Sequence, residues 1–237
     1  MQKMLAFLLC LTGTALAARP HADLVLLGVT SSGGPARRDA SAGSALVNAP
    51  LILQNPQLPR GCEFTSLAML LAHAGKPTDK MVLASRVRKV PFTANGKHGN
   101  PNDGFVGDMY TFSRPGYGVY HAPVRDLAEQ YLPGQIEDFS GSSFDEVLAR
   151  LSAGKPVWVI TNARWKELPA SEFETWQTSS GPIRITYHEH SVLVTGFNDH
   201  TVFINDPLDG NGKDKALPRA NFEAAWRQMG SQAISYR

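Results

Sequence analysis

Gly61-Cys62-Glu63-Phe64-Thr65-Ser66-Leu67-Ala68-Met69-Leu70-Leu71-Ala72-His73-Ala74-Gly75 is the stretch from which the fold can be read. Phe64, Leu67, Ala68 and Leu71 fall at i, i+3, i+4 and i+7, which predicts a helix over 62–74 with Gly75 as its C-cap residue. Cys62 stands at the start of that helix and off the Phe64/Leu67/Leu71 stripe. Free N–H groups and the positive end of the helix dipole stabilise an anion there, so a lowered thiol pKa is expected. Gly61 would let the backbone pass close to a bound molecule. The plainer reading of the same residue is a buried, inert cysteine.

Upstream, Lys3, the apolar run from Leu5 to Leu16 and Ala15-Leu16-Ala17 have the pattern of a secretory signal peptide over 1–17. The apolar run is too short for a stable span, which needs ~20 residues. The mature chain is then expected to start near Ala18 and to be secreted, periplasmic or held in the cell envelope. Cleavage would remove Cys10 and leave Cys62 as the single thiol, excluding an internal disulfide in an oxidising compartment. Residues 18–47 are rich in Ala, Gly, Ser, Pro and Arg and read as a flexible tether, with one short strand over 24–29. Residues 48–237 form the expected domain. A net charge of +2, with scattered basic residues such as Arg86, Arg88 and Lys89, gives no stripe for nucleic acid.

Downstream, helices are predicted over 79–87, 123–132, 144–152 and 219–228, with a capping box at Ser143-Phe144-Asp145-Glu146. Strands are predicted over 51–53, 156–161, 183–187, 190–197 and 201–205. The stretch 95–120, rich in Gly and Pro, reads as a loop. Helices first and antiparallel strands after predict an α+β domain.

A thiol nucleophile needs a base, and the histidines can be sorted by position. His21 lies in the tether. His73 is roughly 16 Å from Cys62 along the helix at ~1.5 Å per residue. His98 and His121 fall in or beside loops, and His200 at a hairpin tip, which leaves His188 and His190. If 198–200 connects two antiparallel strands, Phe197 pairs with Thr201, Val194 with Ile204 and Val192 with Asp206. His190 then shares a face and an end with Asp206, and an acid beside an imidazole fixes its tautomer as in a catalytic triad. A structural pair at a sheet end is the alternative. His188 lies two residues further out. For the oxyanion, Gln54, Asn55 and Gln57 precede Cys62, and between Gln54 and Gln57 spacing does not choose. Glu63, Thr65 and Ser66 read as structural helix-start residues.

The run Gln54-Asn55-Pro56-Gln57-Leu58-Pro59-Arg60-Gly61-Cys62-Glu63-Phe64-Thr65-Ser66-Leu67 resembles the nucleophile segment of C39-like peptidases, relatives of the bacteriocin-processing enzymes. So do His190-Ser191-Val192-Leu193-Val194-Thr195-Gly196-Phe197, Asn205-Asp206-Pro207-Leu208, Gly104-Phe105-Val106-Gly107 and Pro115-Gly116-Tyr117-Gly118-Val119-Tyr120. The resemblance runs from about residue 50 to 237. It implies a papain-like cysteine peptidase fold, with an N-terminal nucleophile helix packed on an antiparallel sheet. It further implies Cys62 as nucleophile, His190 as base, Asp206 as orienting acid and Gln54, rather than Gln57, as oxyanion donor. Unlike the transporter-linked members, the chain shows no membrane or ATPase region, which speaks against a peptide-export role.

The expected activity is hydrolysis of a peptide or related amide in a peptide or protein substrate through an acyl-enzyme, without cofactor or metal. Acyl transfer and hydrolysis of cell-wall peptide crosslinks would use the same residues. An inactive papain-like shell that binds peptide or glycan is the non-enzymatic alternative. His188-Glu189-His190 lacks the His-Glu-x-x-His spacing of a zinc helix.

Overall fold

A computed structural model describes residues 43–237. The signal-peptide segment, the strand over 24–29 and most of the tether lie outside the described residues. In chain order the elements begin with β1 (Ala45–Leu46), α1 (Cys62–His73), α2 (Lys80–Arg86), β2 (Lys89–Val90), β3 (Thr93–Ala94), β4 (Lys97–His98) and β5 (Phe105–Val106). They continue with α3 (His121–Glu129), β6 (Ile136–Asp138), α4 (Phe144–Ser152), β7 (Val157–Asn162), β8 (Glu174–Thr178) and β9 (Gly181–Ile185). Last come β10 (Glu189–Phe197), β11 (Thr201–Asn205), β12 (Lys215–Pro218), α5 (Arg219–Gln228) and β13 (Ala233–Tyr236).

The architecture is α+β. Among the described residues the main sheet runs β12-β11-β10-β7-β13-β6, with β1 also on β10, and every pairing in it is antiparallel. Both faces are covered, which is why β7 reads Val157-Trp158-Val159-Ile160 without alternation. Trp158, Ile160 and Leu193 join the core that holds Phe64, Leu67 and Leu70 of α1. Val157, Val159, Val192 and Val194 join the core that holds Phe144, Leu148, Phe222 and Trp226 of α4 and α5. A helix between sheet and further helices must be apolar nearly all round, and Cys62 through Leu71 are all buried. Two hydrogen bonds pin α1 to the sheet: Trp158 Nε1 donates to the Glu63 carbonyl at 3.0 Å and Ser66 Oγ to the Ser191 carbonyl at 3.1 Å.

Several expectations are corrected. The residues at 51–53 form no strand, whereas Ala45 and Leu46, within the expected tether, pair with Phe197 and Gly196. At Gly196 a Cβ would collide with the Ala45 carbonyl, so the close approach of β1 requires glycine there. The third helix starts at His121, two residues before Pro123, and ends at Glu129 rather than 132. Ser143 is the N-cap of α4 but makes no side-chain cap, so the capping box does not form. The stretch 95–120 holds β4 and β5, and β3-β4-β8-β9 make a small separate sheet. In the β10–β11 hairpin the base keeps the expected register, Val194 opposite Ile204 and Leu193 opposite Asn205. Towards the tip, Gly196 pairs with Phe203 and Phe197 with Val202, one residue off. A bulge at Thr195 absorbs the difference.

Candidate active site

Gln54 to Gly61 folds back on itself before α1: Leu58 N–H donates to the Gln54 carbonyl at 3.0 Å and Gly61 N–H to the Leu58 carbonyl at 3.1 Å. A Cβ on Gly61 would lie 2.5 Å from the Leu58 Cβ. Glycine is therefore required by this turn. The turn delivers Cys62 to the first position of α1, 7% exposed, against a cleft of about 350 Å³. Gln54, Arg60, Cys62, Tyr117, Glu189 and His190 are among the residues lining that cleft.

His190 is the second residue of strand β10. Its Nε2 lies 2.9 Å from Asp206 Oδ1, and both side chains are buried. That contact leaves Nδ1 as the nitrogen available to the cleft. Asp206 follows directly on β11, and its oxygens are divided: Oδ1 also accepts the Leu208 N–H at 3.1 Å, while Oδ2 accepts Lys215 Nζ at 3.1 Å. Burial acts to raise the Asp206 pKa. The hydrogen bond and charge of His190, with the Leu208 N–H and Lys215, outweigh it and bring the value to about 2. Trp165 stands edge-on to His190 at 5.6 Å between ring centres, and Lys215 lies 5.2 Å from the Trp165 ring centre. The imidazole is thus held on two sides.

The thiol's surroundings differ from the expectation of a lowered pKa. Burial pushes the Cys62 thiol well up, and the charges of Glu63 and Glu189 push it further, against one backbone hydrogen bond from Ser191. Ser191 is the neighbour of His190, so this contact joins the two segments. Glu63 Oε2 lies 3.4 Å from Cys62 Sγ, while Glu63 Oε1 accepts the Val119 N–H at 2.8 Å. Burial raises the Glu63 carboxyl to about 7. Burial, and next the charge of Glu63, drive the Glu189 carboxyl well above its ordinary value. Both carboxyls press on Gly118, where a Cβ would sit 2.7 Å from Glu63 Oε1 and 2.9 Å from Glu189 Oε2.

Sγ and one oxygen from each carboxyl all lie within 4.8 Å of one another, a set of donors that a divalent cation could use. Without one, like charges this close favour sharing a proton. The sequence reading left Glu63 as structural and weighed Glu189 only within a zinc motif. Strand alternation held the missed signal, since Glu189 is one residue from His190 and so points to the opposite, α1-facing side.

Of the candidate oxyanion donors, Gln54 is buried and lines the cleft, with Nε2 donating to the carbonyls of Leu58 at 3.2 Å and Pro59 at 2.9 Å. Its buried Oε1 has no partner among the described residues. Gln57 is exposed, and its Oε1 accepts Lys80 Nζ at 3.0 Å. Four other histidines are engaged elsewhere: His73 with Tyr236 Oη, His98 stacked on Trp176, His121 with Asp138 and His188 with Glu172.

Fold and sequence together place the protein in the C39-like class. The chain belongs to the Peptidase_C39 like family, whose model matches residues 46–234. It is similar to the uncharacterized protein YvpB of Bacillus subtilis (strain 168), 48% identical over 180 residues, 76% of this chain and 70% of the relative. Among solved structures it resembles a Bacillus anthracis protein assigned to the C39-like peptidases. Their TM-score is 0.81 at 50% identity, over 82% of this chain and 98% of the other.

Proposed function

We propose that the chain is a papain-like cysteine peptidase that cuts a peptide or related amide bond through an acyl-enzyme. The observation that carries this reading is the His190–Asp206 pair at 2.9 Å, opening onto the same cleft as a thiol at a helix start. The raised thiol pKa means that Cys62 rests as a thiol rather than in a preformed ion pair. Its proton passes to His190 Nδ1 as Sγ attacks the carbonyl carbon, and Asp206, ionised down to about pH 2, stabilises the imidazolium. The Cys62 backbone N–H and Gln54 Nε2, turned from the Leu58 or Pro59 carbonyl, receive the oxyanion. His190 then protonates the leaving amine, and water releases the acyl group.

The signal-peptide pattern at 1–17 supports action outside the cytoplasm. Among the described residues no helix is long and apolar enough to cross a membrane.

One observation favours a second reading, a peptide-binding shell without turnover: the thiol lies between two acids that hold it protonated. Cleavage of a fluorogenic peptide library separates the two. Turnover lost in both Cys62→Ala and His190→Ala supports the peptidase, and turnover absent from the wild-type chain refutes it.

A further inference from the structure

Exposed apolar side chains are unevenly distributed over this protein. Of the seven large apolar side chains exposed among the described residues, Phe112, Tyr187 and Leu208 all line the cleft that holds Cys62. Tyr110, a fourth, lies on the loop that carries Phe112. Phe112 is 69%, Tyr187 62% and Leu208 49% exposed, so none of them serves the core. Such concentration at one concave place marks a binding surface.

Two of the three are rings held in place by their neighbours, and the third, Leu208, is tied at its backbone to a candidate catalytic group. The Phe112 ring lies 4.6 Å from the guanidinium carbon of Arg60, two residues before Cys62. Arg60 Nη1 donates to the carbonyls of Asp108, Thr111 and Arg114 and so ties the loop to the nucleophile turn. Tyr187 meets Tyr117 at 6.0 Å and Trp176 at 6.2 Å, edge to face, three residues before His190. The Leu208 N–H donates to Asp206 Oδ1. Side chains fixed beforehand lose little freedom on binding, which favours a contact surface over incidental exposure. Arg60, the cation of this cleft, is already committed to carbonyls and to the Phe112 face, so an acidic residue is not what the cleft invites.

We propose that the cleft selects extended peptide segments carrying bulky aliphatic or aromatic side chains beside the bond to be cut, with Phe112, Tyr187 and Leu208 determining specificity. This deepens the peptidase reading and rests on it for the place of the cut. It also separates the candidate substrates: a wall crosslink of small and charged residues offers these three side chains nothing to cover.

The test uses the full chain in two forms. With wild-type protein, peptides differing only in the residues flanking the bond are ranked by kcat/KM, with Phe, Leu or Tyr compared with Ser, Gly or Lys. With Cys62→Ala, binding of the same peptides is followed by fluorescence anisotropy. A preference of about tenfold or more for the apolar set in both forms is expected, since each apolar contact is worth about that much. Phe112→Ser and Tyr187→Ser should bring the ratio towards one, whereas Phe112→Leu should keep it. Equal binding of both sets, or tighter binding of the polar set, overturns the inference. Preferential binding to Cys62→Ala with no cleavage by the wild-type chain upholds the inference and refutes the peptidase reading instead.

Discussion

Replacing both acids beside the thiol, Glu63→Gln with Glu189→Gln, tests the electrostatics of the site most directly. The glutamines keep shape and leave an acceptor for the Val119 N–H. The donor atoms of Cys62, Glu63 and Glu189 lie within 4.8 Å. At that separation and an effective dielectric constant of about 20, one unit charge acts on another with about 3 kcal/mol, or about two pH units. At the alkaline pH where the raised thiol titrates, Glu63, brought to about 7, is ionised, so the pair carries at least one negative charge beside the sulfur. The double variant should therefore lower the Cys62 pKa by about two units. Either single variant should shift it much less, because the remaining carboxyl, freed from its like-charged neighbour, ionises more readily. The rate of iodoacetamide alkylation against pH reads the thiolate fraction, with the labelled residue identified by mass spectrometry. A double variant whose alkylation midpoint stays at the wild-type value would refute the reasoning, as would a single variant that produces the whole shift.

Other expectations follow from the same geometry. Asp206→Asn should lower kcat/KM by about 10²–10⁴, the range for loss of acid–base assistance, as measured with a fluorogenic peptide. Stability should peak in mildly acid solution. The contribution of Glu63, raised from 4.5 to about 7, is complete below pH 4.5 and lost as pH rises through 7. That of Asp206, lowered from 3.8 to about 2, is present above 3.8 and lost as pH falls through 2. Denaturation midpoints against pH check both limbs, and the double glutamine variant should flatten the upper one. Gly196→Ala should cost about 1–3 kcal/mol in equilibrium denaturation by forcing β1 away from β10.

How much of this was legible in the sequence depended on how local each signal is. Helix α1 announces itself through Phe64, Leu67, Ala68 and Leu71, and its observed end at His73 lies one residue from the expected one. The base of the β10–β11 hairpin could be registered because Val192, Val194 and Ile204 make sense only on one face. The bulge at Thr195 had no such signature, since it answers to β1 arriving from 150 residues earlier. The small sheet was anticipated only at β9, by the strand expected over 183–187, and its other strands were missed for a related reason. Its strands are short and held by a stack of His98 on Trp176 with ring centres 4.2 Å apart, a contact no local pattern foretells. The raised thiol pKa also lay beyond local reading. A helix start argues for a low value, and what reverses it is burial first, then the charge of the adjacent Glu63 and that of Glu189, brought in on β10.

The place of β13 has a consequence for how the molecule is made. It lies between β6 and β7, which never touch one another in the sheet, although it comes later in the chain than either. Until residues 233–236 arrive, those two strands each present an open edge, the situation in which a growing polypeptide is drawn to foreign chains. Trp158, which bonds the helix bearing the sulfur, sits on one of those edges, paired with Ile234. The sheet on which that helix rests is therefore closed along this seam only by pairing with residues 233–236.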